Sequence, residues 1–406
     1  MVALSEVPAD PVVVVPAHVP AHLVYPFDYI SDPALLREPH ERMRRIAAEA
    51  PGLFWTPCYG GHWVARTRRL LSEITLDPVR FSSKTRGIPD SGRDLDLIPL
   101  TYDPPTHSMY RIPLNKPFSV KGVAPLEDTI RRMSSQLIDA VIDGEGCNFL
   151  HDVAEPLPVL LFMTMAGMPT DRLKEFRHLA EQATADPDGT VRSRAFLQIA
   201  VILSDTVRAR IAEPRDDIIS QVIAADLDGR RPTFEEVVNY AVLLFLGGLE
   251  TVVNAIGFGT RHLALHPTLQ AAMRADPAQI PSMIEEMLRM YGIAMTIRRV
   301  TGRTQLGGID LDEGDRILLL IPAVNYDTDA FADAAAFCPG RKEAHVTFNT
   351  GPHRCLGANL ARLELRIFFE EWLRRTPGFR LDADRPPRFL GGLNLAVRSL
   401  DLTWDR

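Results

Sequence analysis

The chain has 406 residues, 46% of them hydrophobic and 24% charged, which is ample for a large core. A formal net charge of −7 argues against nucleic acid as the main partner. The four cysteines, Cys58, Cys147, Cys338 and Cys355, show neither paired nor metal-ligand spacing, which suits a reduced, cytoplasmic setting.

Residues 1–36 read as an irregular arm with prolines at 8, 11, 16, 20 and 26. The run Val12–Val15 is short, bounded by proline and without a cationic start, so it is read neither as a signal peptide nor as an anchor. No linker or internal repeat is apparent, and 1–406 is read as a single domain. A helix is expected from Pro39 through Arg42–Ala50. Leu53-Phe-Trp55 and His62-Trp-Val-Ala65, separated by Tyr59-Gly-Gly61, predict a β-hairpin. Arg66–Ile74 predicts a short helix with a basic face.

Phe81 to Pro99 is a loop whose apolar members include Ile88, Leu95, Leu97 and Ile98, with Gly87 and Gly92 among them. A loop this long inside a compact domain is either functional or a solvated surface feature. Asp103 and the two prolines after it predict a helix start. His107 and Arg111 then lie four apart on one face, presenting two donors to an anion or simply a wet surface. From Val123 to about Ile223 the text is mainly helical, with Asn148–Leu157 and Val159–Ala166 buried and a turn at Ala185–Gly189.

Thr233-Phe-Glu-Glu236 is a capping box, and the helix behind it runs to His266, before Pro267. Its centre carries Gly247 and Gly248, each costing about 1 kcal/mol relative to Ala. Glu250 follows in an apolar run, where a carboxyl must be paired or neutral. That charge also argues against a membrane span. Two readings stand: a satisfied Glu in a helix kinked at the glycines, or a helix opened into a groove for a small ligand, with Glu250 and Thr251 managing protons.

Glu286 and Arg289 put opposite charges three apart, a spacing common on helix surfaces. In Phe348-Asn-Thr-Gly351-Pro-His353-Arg-Cys355-Leu-Gly357 a turn delivers one cysteine to a helix whose periodicity begins at Leu356. Backbone N–H groups and the helix dipole then favour a thiolate at Cys355. His353 and Arg354 place positive charge beside the sulfur, and Gly357 admits something flat against the backbone. A thiolate so placed suits iron, haem included; a buried structural cysteine is the alternative.

The pattern Phe348-x-x-Gly351-x-His353-x-Cys355-x-Gly357 resembles the haem-binding loop of the cytochrome P-450 superfamily of haem-thiolate monooxygenases. Gly247-Gly-Leu-Glu-Thr251 resembles that family's oxygen-binding stretch, and the resemblance extends over nearly the whole chain. It implies a mainly α fold with small β-sheets, a long central helix over haem b, and the cysteine loop beneath. It also implies Cys355 as the iron ligand, with Phe348, Gly357, Gly247 and Gly248 against the cofactor. His353, His107, Arg111 and Arg298 would bind its propionates. Thr251 would hydrogen-bond dioxygen and Glu250 would relay protons. Glu286, Arg289 and Arg341 resemble the network that braces the haem side.

Within the family the chain resembles the bacterial camphor hydroxylase branch, through Pro20-Ala-His-Leu-Val24, Gly60-Gly-His-Trp-Val64 and the Asp103-Pro-Pro segment. It departs where those enzymes carry a pocket Tyr, here Leu95, and a pocket Phe, here Gly87. The implied pocket is Gly87, Ile88, Leu95, Leu243, Leu246, Ala294 and Leu393, roomier and less polar than a camphor site. A terpenoid or norisoprenoid such as ionone is the expected substrate, with camphor itself the alternative. Electrons are expected from a [2Fe–2S] ferredoxin and its NAD(P)H reductase. The ferredoxin would meet Arg66, Arg68, Arg69, Arg111, Lys342, Arg354 and Arg362 on a monomer. A peroxide-driven peroxygenase would not need Glu250-Thr251, and a haem-thiolate sensor would need neither that pair nor a large apolar pocket.

Overall fold

The computed structural model describes residues 14–90, 97–185 and 189–405. Helices make up most of it, and short strands gather into four small sheets. The N-terminal arm is more regular than its prolines suggest: helix Pro33–Arg37 starts on Asp32, whose Oδ1 accepts from the Ala34 N–H at 2.8 Å. Helix Pro39–Glu49 follows where periodicity places it.

The predicted hairpin is present, with Leu53–Thr56 antiparallel to His62–Ala65 and Phe54 facing Val64. Tyr59, Gly60 and Gly61 turn it with φ of 55°, 79° and 85°. Glycine reaches such angles without the Cβ penalty that Tyr59 bears. This hairpin forms one edge of a five-stranded sheet that continues through Arg316–Leu319 and Thr296–Val300 to Phe81–Ser82. Thr296–Val300 carries Arg298 opposite Ile317. The next helix begins at Arg68 rather than Arg66, because Thr67 Oγ1 accepts from the Leu70 N–H.

The central helix runs unbroken from Phe234 to Leu265, 32 residues, or roughly 48 Å. Its capping box closes both ways: Glu236 N–H donates to Thr233 Oγ1 at 3.2 Å and Thr233 N–H to Glu236 Oε2 at 2.7 Å. The helix is long and apolar enough to cross a membrane by length and composition, yet it is the core helix of the fold. One half buries Tyr240, Phe245 and Leu249 against Phe162 and Phe176; the other buries Ile256 and Phe258 in the cluster of Phe149, Phe368 and Trp372.

The cysteine helix, Ala358–Arg375, starts two residues later than periodicity implies, with Gly357 as its cap. It lies along helix Glu127–Asp139, joined by Arg366–Glu127 at 2.7 Å, Arg131–Glu370 at 2.8 Å and Arg375–Asp139 at 2.6 Å. Helices Leu173–Ala185 and Gly189–Ala212 flank the predicted turn, of which residues 186–188 lie outside the described residues.

Candidate active site

Cys355 is held at the mouth of its helix by its own backbone, whose N–H donates to the Phe348 carbonyl at 2.8 Å. Its neighbour Leu356 packs into the same cluster as Phe245, Leu246 and Leu249 of the central helix, so that helix and the cysteine loop face one another. Burial pushes the Cys355 thiol up, against the Gly357 N–H and the Arg111, Arg354 and Arg362 guanidiniums, which pull it down. The backbone donor and the three guanidiniums work in the direction the dipole argument expects, and burial works against them. Yet Cys355 is accessible at its surface. A side chain ringed by protein but open on one side lines an internal recess.

Other positions share that character. Gly247 is exposed although it lies at the middle of the core helix. A Cβ added at Gly247, Gly248 or Gly357 would meet nothing within 4 Å. The glycines do not break the helix, so the expected opened groove is replaced by a bare patch on an intact helix. Thr251, one turn on, donates its hydroxyl to the Gly247 carbonyl at 3.1 Å. Phe348 packs against the core with the Arg362 guanidinium 4.6 Å from its ring centroid.

On one flank of the recess lie His107, His353, Arg298 and Arg111. The rings of His107 and His353 are 4.2 Å apart, and Ser83 Oγ is 2.9 Å from His353 Nε2. Burial pushes His107 down to about 4 and His353 down to about 3. Burial thus favours the neutral form of both rings, each of which can still hydrogen-bond. His107 Nδ1 is buried with no partner among the described residues. Arg298, also pushed down by burial to about 10, donates to the Ile297 carbonyl at 2.8 Å. Arg111 donates to the Arg354 carbonyl at 2.8 Å. Asp103, the nearby carboxylate, accepts from the Ser83 N–H at 2.8 Å and from the Ser82 hydroxyl. It therefore does not cap helix Thr106–Asn115 by its side chain as expected. A buried guanidinium, an orphaned imidazole nitrogen and a committed carboxylate together fit an anionic group. With the bare glycines and the accessible cysteine, the donor set fits haem with its propionates.

Behind the cysteine, Glu286 and Arg289 form a buried pair, not the common surface pair. Arg289 Nη2 donates to Glu286 Oε1 at 2.7 Å, and Arg341 Nε lies 3.4 Å from the same oxygen.

The central helix also carries Glu250, which burial pushes up. Asn394 Nδ2 donates to its Oε2 at 3.2 Å, and Arg398 Nη2 stands 3.9 Å from its Oε1. Sequence reading missed both partners. The available signal was a polar residue set between Leu393 and Leu395 in a stretch read as pocket wall.

The predicted pocket residues divide. Leu243, Leu246 and Ala294 are half-buried and Leu393 is exposed. Ala294 and Asn394 bridge, which joins two of the predicted walls. Gly87 turns its loop at φ 88°. Ile88 instead belongs to the main core, where its carbonyl accepts the Tyr29 hydroxyl. Leu95 lies outside the described residues. A surface cleft of ≈ 730 Å³ bounded by Leu23, Leu53, Thr67, Leu70 and Ile309 contains none of these side chains.

Comparison with known proteins agrees with this geometry. A family model described as Cytochrome P450 matches residues 95–388. A probable cytochrome P450 127A1 from Sinorhizobium fredii is 30% identical over 401 residues, covering 96% of this chain and 97% of that protein. A steroid C26-monooxygenase from Mycolicibacterium smegmatis is 34% identical over 343 residues, covering 81% and 85%. The crystal structure of CYP101J2 superposes with a TM-score of 0.89 at 34% identity, over 97% of this chain and 100% of that one. That of CYP101C1 does so at 0.91 and 31%, with the same coverage.

Proposed function

The chain belongs to the cytochrome P450 family, and we propose that Cys355 is the thiolate through which it holds haem b. As a family member it is a haem-dependent monooxygenase that uses dioxygen, an apolar substrate and an external electron donor. The observation that supports the ligand assignment is Cys355 itself, exposed in a loop that packs through Leu356 against the central helix bearing the bare Gly247 and Gly248. His107, Arg111, Arg298 and His353 would hold the propionates, Phe348 and Gly357 the proximal side, and Gly247 and Gly248 the distal side. The whole chain acts as one catalytic unit, a cytoplasmic monomer.

When bound, haem supplies reductive activation of dioxygen and transfer of one oxygen atom into a C–H bond, the other atom leaving as water. The chain's own residues supply binding, dryness and protons. Thr251 presents a hydroxyl whose proton can rotate away from the Gly247 carbonyl toward the recess. Glu250, whose carboxyl burial pushes above the usual range, stands one residue away to carry a proton and pass it on. Leu243, Leu246, Ala294 and Leu393 exclude water and seat the substrate by apolar contact alone. We read that substrate as a terpenoid or norisoprenoid such as β-ionone, because these walls carry no donor that would select a ketone. The steroid C26-monooxygenase relative fits the same apolar class.

The donor is read as a [2Fe–2S] ferredoxin with its NAD(P)H reductase. Arg111 and the exposed Arg354 lie together, and Ile112, 65% exposed, sits beside them with Lys116 one turn on. That is an apolar spot with a basic rim, suited to an acidic carrier. Two of the basic residues expected there are occupied: Arg66 donates to the Ala50 carbonyl at 2.8 Å, and Arg362 pairs with Glu285 at 2.6 Å. Arg68 and Arg69 line the surface cleft instead.

The deciding experiment is Cys355→Ser, since a serine hydroxyl is a far poorer soft donor to iron. The reduced carbonyl complex should lose its red-shifted Soret band. Survival of that band in the variant would remove Cys355 as the ligand.

A further inference from the structure

Glu250 does not face the recess alone. It sits on the side of the central helix against which the strand Ala396–Ser399 is docked. One turn on, Asn254 Oδ1 accepts the Val397 N–H at 2.9 Å. Further along, Gly257 lies so close that an added Cβ would stand 3.3 Å from Val397 Cγ2. The strand is therefore fixed to the helix at Val397. Upstream, the Met295 N–H donates to the Leu393 carbonyl at 2.7 Å and the Leu395 N–H to the Ile293 carbonyl at 3.1 Å. Between these bonds three successive side chains take different duties. Leu393 is 41% exposed, Asn394 reaches the Glu250 carboxyl, and Leu395 is fully buried in the core.

The two contacts on Glu250 differ in kind. Asn394 makes a hydrogen bond to Oε2. Arg398, at 3.9 Å, is too distant to donate and acts as a nearby charge. It is the charged side chain facing Glu250 among the described residues. Oε2 is thus held, while Oε1 accepts no hydrogen bond among the described residues.

We propose that Asn394 and Arg398 are positioning residues for Glu250, and that through Leu393 they couple occupancy of the substrate pocket to the setting of that carboxyl. This rests on reading Glu250 as the proton carrier and Leu393 as pocket wall. A ligand pressing on Leu393 bears on the residue next to Asn394, whose backbone is tied on both sides. The side chain free to respond is the amide on Glu250.

The test is an infrared titration of the holoenzyme, with the Glu250 band identified by difference against E250Q. R398M should move the midpoint of that band to higher pH, because a neighbouring positive charge that favours the ionised form is lost. R398K should return it. N394A should change the band position without moving its midpoint as far. Adding β-ionone should perturb the band in the parent protein but not in L393A. In turnover, R398M should lower kcat roughly tenfold with the β-ionone dissociation constant changed less than twofold, and R398K should recover most of it. If the Glu250 band ignores both R398M and N394A, the positioning role is overturned, whatever E250Q does to turnover. If the band responds but E250Q leaves turnover unchanged, the proton-carrier reading fails instead, and the coupling with it.

Discussion

Among the buried arginines of the described residues, Arg289 at 1% exposure and Arg298 at 5% invite comparison. Their surroundings are opposite. Arg289 spends its donors on Glu286 at 2.9 and 2.7 Å and on the carbonyls of Asn325, Ala334 and Ala336 at 2.8, 2.7 and 3.0 Å. Arg298 donates to the carbonyl of its neighbour Ile297, and burial lowers its affinity for its proton. A buried charge with every donor matched is scaffold. One without a paired carboxylate suits the propionate-binding role proposed for it, because isolated burial of a guanidinium is otherwise costly to keep. The contrast divides the molecule into a finished half behind the cysteine and an open half around the recess.

The largest expected effect breaks that contrast directly. Arg289→Ala leaves Glu286 buried with part of its pairing removed, which costs about 3–5 kcal/mol of folding stability. Arg298→Ala should leave the haem-free protein as stable as before, or more so, and should instead weaken haem retention. Thermal melts of both apoproteins, with haem transfer to an acceptor protein, measure the two quantities. Equal destabilisation of the apoproteins would sink the division.

Histidines repeat the contrast. His40 donates to the Gly292 carbonyl at 2.9 Å, while His107 keeps one nitrogen without a partner among the described residues. Burial pushes His40 from 6.5 down to about 4. A group depressed in the fold favours the native state fully above its unfolded value. That stability drains as pH falls from 6.5 toward 4, when the unfolded chain takes a proton the fold refuses. The loss is on the order of 3 kcal/mol. His40→Gln, which can still donate to Gly292, should flatten the fall in melting temperature across that window. An unchanged slope would show that other groups control acid sensitivity.

Much of the scaffold was legible because local rules act alone there. The capping box at Thr233, the hairpin at Tyr59-Gly-Gly61 and the stop before Pro267 need no tertiary partner. What sequence could not give were decisions made by long-range contacts. Asp103 looked like a helix cap but was taken by Ser82 and Ser83, some 20 residues away. Glu286 and Arg289 looked like a surface pair because burial is invisible in spacing. At Cys355 the dipole can be read from residue order, while the opposing desolvation cannot. The glycine pair was read as a kink or an opened groove, yet an intact helix left bare serves the same approach.

In the open half, Thr251 offers a smaller effect. Its hydroxyl contributes little to the fold, being a back-bond to Gly247 that costs almost nothing to lose. Thr251→Ala should therefore retain haem and substrate binding. Product formed per NADH should fall on the order of tenfold, the scale of one lost interaction of about 1.4 kcal/mol at the reacting centre, with hydrogen peroxide released in its place. Unchanged coupling would take Thr251 out of the mechanism.

The finest test compares the two leucines that flank Asn394, ahead of strand Ala396–Ser399. Leu393 is 41% exposed and Leu395 fully buried. Leu395→Ala opens a cavity in packed core and should cost about 2–5 kcal/mol of stability. Leu393→Ala removes a side chain that the protein itself only half covers, so its folding cost should be small. Its loss should appear in binding instead. Apolar contact is worth about 0.8 kcal/mol per buried methylene, so losing one methylene's worth of contact should raise the β-ionone dissociation constant from spin-shift titration roughly fourfold. Camphor, smaller and less able to reach that wall, should lose less than ionone does. If Leu393→Ala melts early and binds normally, then Leu393 is core like its neighbour, and the wall of the pocket lies elsewhere.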